Sequence, residues 1–81
     1  MQKLTFYTKE NCLLCEEAYD LVEMLAHEYP IEIEVLDIYK DEALLEQYHL
    51  IIPVVKMKDK ELAGPDLTIE NIANMLGETC A

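Results

Sequence analysis

Hydrophobic and polar residues alternate in two short segments and recur at helical spacing between them. Residues 3–7 carry strand-forming side chains and predict a first strand. The next apolar residues, three and four positions apart, predict an amphipathic helix that ends near residues 27–29, before Pro30. Residues 31–35 alternate again and predict a second strand, which ends near residues 36–38. The predicted apolar positions of the helix are Leu14, Ala18, Leu21, Val22 and Leu25.

The second half of the chain predicts a helix, a hairpin and a last helix. Residues 41–48 predict a short helix that Asp41 caps. Strands at 54–57 and 61–63 flank a turn at 58–60, and residues 64–66 predict a loop. A helix over 67–76 is expected to stop at Gly77. The predicted apolar contacts of these two helices are Ala43, Leu44 and Leu45, and then Leu67, Ile69, Ile72, Ala73 and Leu76.

The element order is therefore β-α-β-α-β-β-α, an α/β arrangement that treats residues 1–81 as a single domain. Its first strand, helix and second strand form a βαβ unit, whose two strands are expected to be parallel.

Two cysteines lie at the predicted junction between the first strand and the first helix. A Cys-x-x-Cys at such a junction, here Cys12 and Cys15, is typical of a redox pair. A helix N-terminus stabilises a thiolate, so we expect the pKa of Cys12 to fall below the roughly 8.5 of a free cysteine. Glu10, Glu16 and Glu17 oppose this effect, because nearby negative charge disfavours a thiolate. We expect a smaller lowering than in strongly oxidising dithiol proteins.

Composition and charge narrow the classes of partner. The formal net charge of −11 argues against nucleic acid and against an anionic membrane surface. No run of 18 apolar residues is present, and a strand pattern begins at once, so neither a membrane span nor a signal peptide is expected. We therefore expect a cytoplasmic, reducing location, where a close cysteine pair is more often catalytic or metal-binding than structural. The acidic surface is either simply solvated or a docking surface for a basic protein.

Four features resemble the glutaredoxin form of the thioredoxin fold. They are Tyr7-Thr8-Lys9, the Cys12 and Cys15 pair, Ile52-Pro53-Val54-Val55 and Ala63-Gly64. Cys-x-Leu-Cys-Glu-x-Ala at residues 12–18 is more similar still to the small bacterial glutaredoxin-like group. The resemblance covers essentially the whole chain. It implies a four-stranded mixed sheet flanked by helices.

The resemblance also implies an activity, that of a thiol–disulfide oxidoreductase in electron transport and cell redox homeostasis. Cys12 would be the nucleophile and Cys15 the resolving thiol. Pro53 would be cis, and Ile52 would present its backbone N–H and C=O to an extended substrate. Lys9 would lower the pKa of Cys12 or pair with a substrate carboxylate.

The same resemblance implies the partners. Gly64 would complete the substrate-binding residues. A disulfide-containing protein or low-molecular-weight thiol would be the substrate, and a reductase would be the second partner. We expect a monomer with no metal and no tightly bound cofactor, with glutathione as a candidate reductant.

The sequence departs from glutaredoxins beside the cysteines and after Gly64. Leu13 and Leu14 replace the usual Pro and aromatic residue. The loop after Gly64 is one residue short, so Asp66 does not align with the acidic residue that holds the glutathione amine. Glutathione and a thioredoxin-type reductase therefore both stay open as the reductant of the oxidised cysteine pair.

Two other classes of function are alternatives to the redox interpretation. The cysteine pair could hold zinc or an iron–sulfur cluster, but only Cys80, His27 and His49 remain to complete a four-ligand zinc site. A cluster that bridges two subunits needs fewer ligands from each chain. The third class is a non-enzymatic binding module that uses the acidic face. Cys80 itself is expected to be a free thiol near the C-terminus.

Overall fold

In the described part of the chain, four strands form one mixed sheet. They are β1 (Gln2–Thr8), β2 (Ile31–Asp37), β3 (Val54–Met57) and β4 (Lys60–Ala63), in the spatial order β2-β1-β3-β4. Strand β1 pairs in parallel with β2 and antiparallel with β3, and β3 and β4 form an antiparallel hairpin. The structure is a computed structural model that describes residues 2–80, apart from the side chains of residues 79 and 80.

Within residues 2–80, three α-helices flank this sheet. They are α1 (Leu13–Ala26), α2 (Glu42–Tyr48) and α3 (Ile69–Cys80). Short 3₁₀ turns at Ile38–Lys40 and Gly64–Asp66 add to the predicted elements, the second of them in place of the predicted loop. The order β-α-β-α-β-β-α is that of the thioredoxin fold in its short form, and this prediction is confirmed. None of the helices within residues 2–80 has the length and apolar character that a bilayer span requires.

The larger core lies between the sheet and the helices α1 and α3. Strand β1 contributes Leu4 and Phe6 to it, and α1 contributes the stripe Cys15, Ala18, Val22 and Leu25. These helix positions are spaced by three and four, as an amphipathic helix requires.

The predicted place of Leu14 in the α1 stripe is wrong. Its side chain is 66% exposed, whereas Cys15 is only 3% exposed. Consecutive residues of an α-helix point about 100° apart. Once Cys15 faces the core, Leu14 must therefore point towards solvent.

A smaller core on the opposite face of the sheet contains Tyr7, Ile38, Tyr48 and Val54. The rings of Tyr7 and Tyr48 stack with centroids 4.4 Å apart, and the Tyr48 hydroxyl donates to Glu61 Oε2 at 3.0 Å. Both tyrosines are therefore core residues. The polar end of Tyr48 is satisfied at the edge of the core, as a buried hydroxyl requires.

Helix α2 covers this smaller core and is capped as predicted. The Asp41 carboxylate accepts the N–H groups of Ala43 at 2.9 Å and Leu44 at 3.4 Å. Leu44 and Leu45 pack against the core, but Ala43 is exposed, so its predicted apolar contact is wrong. The buried side chain at the end of the helix is Tyr48, which occupies the face that Ala43 does not reach.

Helix α3 begins two residues later than predicted and continues beyond Gly77. Thr68 caps it by accepting the Asn71 N–H at 3.1 Å. Gly77 lies within the helix and does not adopt the positive φ of a terminating glycine. Beyond it, Glu78 forms an ion pair with Lys60 of the hairpin. The predicted Ile69 contact is also wrong, since that side chain is 43% exposed and Met75 is buried instead.

The two glycines of the chain should respond oppositely to alanine substitution. Gly77 is helical, and a Cβ there would meet only the Tyr29 hydroxyl at 4.0 Å, so Gly77→Ala should raise the free energy of unfolding by about 0.5–1 kcal/mol. Gly64 has φ +53°, so Gly64→Ala should lower it by about 1–2 kcal/mol. Urea unfolding of both variants measures this. A stabilised Gly64→Ala or a destabilised Gly77→Ala would contradict the backbone assignment.

Stability should fall at alkaline pH through Tyr48. Burial, followed by the hydrogen bond to Glu61, raises the pKa of Tyr48 above its usual 10.0. Above about pH 10 the Tyr48 hydroxyl is ionised in the unfolded chain but still protonated in the folded protein. The contribution of this hydroxyl to the free energy of unfolding is therefore complete below about pH 10 and is lost as pH rises.

Urea unfolding of wild type and Tyr48→Phe at about pH 9 and about pH 11 isolates this effect. The wild type should lose about 1 kcal/mol more than the variant between these values. Equal losses in the two proteins would show that Tyr48 does not titrate differently in the folded state.

Candidate functional site

A tight turn between β1 and α1 places Cys12 at the start of the helix. Asn11 adopts the left-handed conformation with φ +56°, which asparagine tolerates better than most residues. Cys12 then takes the extended N-cap conformation, and its Sγ accepts the Cys15 N–H at 3.2 Å. Its carbonyl accepts the Glu16 N–H at 3.1 Å, which closes the first helical turn. No sequence motif pointed to Asn11.

The two cysteines are joined in the structure but differ in exposure. Their Cα atoms are 5.2 Å apart, and a disulfide links Cys12 to Cys15. Cys12 is partly exposed, whereas Cys15 is 3% exposed and belongs to the larger core. Phe6 and Tyr19 hold α1 against β1 through an edge-to-face contact with ring centroids 5.5 Å apart. An incoming molecule can therefore reach Cys12 more readily than Cys15.

An open cleft of about 690 Å³ contains both cysteines. We call it the acidic cleft, because four exposed carboxylates line it: Glu10, Glu16, Glu17 and Asp20. Lys9 is the cation of its lining. Val35 also reaches it and is 50% exposed, since β2 is an edge strand with one free side.

Lys9 lies on the β2 side of the site. It lines the acidic cleft and also a neighbouring depression formed with Glu10, Asp37 and Tyr39. Within the described part of the chain it forms no ion pair. Its predicted role towards Cys12 or a substrate carboxylate stays a prediction.

A second depression of about 410 Å³ lies on the other side of the first turn of α1. We call it the apolar groove. Leu14 forms one wall, and Pro53 and Gly64 contribute to the opposite wall. The peptide bond between Ile52 and Pro53 is cis, as the resemblance implies. The remaining lining residues are Glu17, Ala18, Leu21, Pro65 and Leu67.

Backbone groups near Pro53 are only partly available for binding. The Ile52 N–H donates to the Tyr48 carbonyl at 3.1 Å and so has a partner within the chain, and the predicted contact of Ile52 with a substrate stays a prediction. The Tyr48 carbonyl also accepts the Ile51 N–H at 2.9 Å, so the two bonds close a turn directly after the end of α2. The Gly64 N–H donates to the Pro53 carbonyl at 3.1 Å. Gly64 therefore shapes the groove wall instead of offering a free amide.

The described part of the fold brings together no set of ligands that would support the metal-binding alternative. Among the described residues, no group of three or more His, Cys, Asp and Glu side chains is placed to hold a metal ion. His27 and His49 are both exposed. The side chain of Cys80 lies outside the described residues, so the expectation of a free thiol there stays a prediction.

The fold and the cysteine pair together define a thioredoxin-fold protein with a Cys-x-x-Cys site. The chain belongs to the family described as the glutaredoxin-like domain (DUF836), which matches residues 3–77. This confirms the family to which the sequence pointed.

Solved structures agree with this assignment. Protein Ne2328 from Nitrosomonas europaea is 34% identical, with a TM-score of 0.77 over 93% of this chain and 91% of that one. Thioredoxin 1 from Thermosipho africanus is 21% identical, with a TM-score of 0.65 over 95% and 97% of the two chains. A thioredoxin mutant from Halobacterium salinarum is 15% identical, with a TM-score of 0.74 over 98% of this chain and 74% of that one. The two thioredoxins show the fold alone. A comparison with curated proteins found no match.

The difference in exposure predicts a difference in thiol reactivity. In reduced Cys80→Ser protein, iodoacetamide should modify Cys12 at least about ten times faster than Cys15, because Cys15 is buried and Cys12 sits on the helix N-terminus. Mass spectrometry of peptides at early times measures both rates. Equal rates, or faster modification of Cys15, would contradict the geometry of the site.

Proposed function

We propose that this protein is a thiol–disulfide oxidoreductase that reduces disulfides in proteins or small molecules. The observation that carries the proposal is the position of Cys12 at the N-cap of α1. There the residue is partly exposed and its sulfur accepts the Cys15 N–H, with the sulfur of the buried Cys15 within bonding distance. A hydrogen-bond donor and a helix N-terminus both favour the thiolate, which is the nucleophile in disulfide exchange.

The reaction runs in two exchanges. The Cys12 thiolate attacks one sulfur of the substrate disulfide, forms a mixed disulfide and releases the other substrate sulfur as a thiolate. Cys15, deprotonated, then attacks the Cys12 sulfur and releases the second substrate thiolate. The substrate gains two electrons and the protein loses two, which leaves the disulfide between Cys12 and Cys15.

Renewal of the dithiol requires an external thiol reductant. Glutathione and a dedicated or thioredoxin-type reductase are the two candidate classes. We propose that the protein acts as a monomer in the reducing cytoplasm, without a tightly bound cofactor. Neither Lys9 nor the Ile52 carbonyl is needed for the electron balance, and both are assigned to substrate positioning.

Single cysteine variants test the order of the two exchanges. In a Cys80→Ser background, Cys15→Ser should accumulate a mixed disulfide on Cys12 when mixed with bis(2-hydroxyethyl) disulfide, because the resolving thiol is missing. Cys12→Ser should react more slowly by about two orders of magnitude or more. Intact-protein mass spectrometry follows the adduct. Equal or faster trapping on Cys15 in the Cys12→Ser protein would contradict the assigned roles.

Turnover tests the function as a whole. Wild-type protein should catalyse disulfide reduction when coupled either to glutathione with glutathione reductase or to thioredoxin reductase. The Cys12→Ser variant is the matched control in each assay. If neither reductant supports turnover and the purified protein carries iron or zinc, the metal-binding alternative is favoured instead.

A further inference from the structure

We infer that the surroundings of Cys12 select disulfides carried on cationic, apolar polypeptide segments and disfavour anionic disulfides such as oxidised glutathione. Glu17 is the residue that sets this charge preference. The inference rests on the proposed function and adds to it the class of substrate.

The charge around the sulfurs is strongly one-sided. Glu10, Glu16, Glu17 and Asp20 line the acidic cleft against the single ammonium group of Lys9. Within residues 2–80, none of these four carboxylates forms an ion pair, since the recorded pairs are Lys3 with Glu34 and Lys60 with Glu78. Lys9 can therefore offset only one of these four negative charges in the lining of the cleft. They act on any charged group that approaches Cys12, with a strength that salt reduces.

The apolar side of the site is formed in the same first turn of α1, by adjacent leucines. Leu13 is 68% exposed and lines the acidic cleft, and Leu14 is 66% exposed and lines the apolar groove. Two adjacent leucines left in water lose the stabilisation that burial of such side chains supplies. A substrate segment that covers Leu14 in the groove recovers part of it. The groove therefore fits an apolar side chain of a polypeptide better than a small polar thiol.

Glu17 connects the two surfaces, because it lines both the acidic cleft and the apolar groove. It follows Leu14 by three positions and Leu13 by four, so the three side chains are neighbours on the helix surface. A segment with its disulfide at Cys12 and an apolar residue beside Leu14 must pass Glu17. A Lys or Arg at that point is attracted, and a carboxylate is repelled.

Glutathione has the opposite character. Each half of oxidised glutathione carries two carboxylates and one ammonium group, so it brings net negative charge to a negative cleft. Its peptide is polar and offers no side chain for the groove. The same features that favour a basic protein segment thus disfavour this small disulfide.

Three small disulfides of similar size isolate the effect of charge. Cystamine is cationic, bis(2-hydroxyethyl) disulfide is neutral and 3,3′-dithiodipropionate is anionic. Each is reacted with the reduced Cys15→Ser, Cys80→Ser protein, and the rate of adduct formation on Cys12 is divided by the rate for the neutral compound. This ratio cancels any change in the thiolate fraction of Cys12.

Cystamine should react about ten times faster than dithiodipropionate at about 0.01 M ionic strength, and the difference should shrink to about twofold at about 1 M. Glu17→Gln should reduce the low-salt preference by about twofold to threefold, and Glu17→Lys should reduce it further. Glu70→Gln, an exposed carboxylate on α3 outside both surfaces, is the matched control and should leave the preference unchanged.

Peptide disulfides test the apolar part. A peptide with Leu and Lys beside its cysteine should react faster than one with Ser and Lys, and Leu14→Ser should remove the difference. Met24→Ser, an exposed position of α1 outside the groove, is the matched control and should retain it.

The outcomes separate the two proposals. If the neutral disulfide forms no adduct with Cys12, the proposed function itself fails. If the neutral disulfide reacts but cystamine and dithiodipropionate react equally at low salt, or oxidised glutathione outpaces the leucine–lysine peptide, the inference on substrate class is overturned while the function stands. A charge preference that Glu70→Gln changes as much as Glu17→Gln would overturn the role of Glu17.

Discussion

The start of helix α1 at the end of β1 is the constraint on which the site depends. Asn11 adopts the left-handed conformation in the turn before the helix, and the Cys12 sulfur then caps the helix by accepting the Cys15 N–H. This arrangement supplies three conditions of disulfide exchange at once. It favours the thiolate, exposes one sulfur to a substrate, and keeps the second sulfur in reach of the first. A shift of the helix start by one residue would rotate the pair by about 100° and turn Cys15 out of the core, since its neighbours Leu14 and Glu16 are both exposed.

The sheet supports this junction from both faces. On one face, α1 packs its stripe against Leu4 and Phe6, which fixes the depth at which Cys15 is buried. On the other face, the stacked Tyr7 and Tyr48 stabilise the end of α2, from which the chain continues to Pro53. The site is therefore assembled from two loops at one end of the sheet, each anchored by its own core. The exposed carboxylates of the acidic cleft and the exposed Leu14 side chain take no part in this packing, and this is why they can be assigned to substrate choice.

The sequence pattern predicted the element order, the family and the cysteine pair, because alternation, helical spacing and the Cys-x-x-Cys motif are local signals. It did not predict which leucine of α1 would be exposed. Leu14 fits a helical spacing, but only the packing of Cys15 fixes the rotation of the helix. Likewise, Gly77 carries a stop signal that helix α3 overrides. The Ile52 N–H is occupied by Tyr48, a contact that follows from how α2 ends and not from the proline motif. Clefts on either side of one helical turn arise from tertiary structure, so the shared position of Glu17 has no sequence signature.

Cys12 and Cys15 should cycle reversibly between a dithiol and a disulfide. Equilibration of the Cys80→Ser protein with mixtures of reduced and oxidised dithiothreitol, followed by acid quenching, alkylation and mass spectrometry, tests this cycle directly. We expect one reversible transition in which both thiols are lost together, as a two-electron couple requires. Oxidation of one cysteine without the other, or a pair that stays reduced at every ratio, would contradict it.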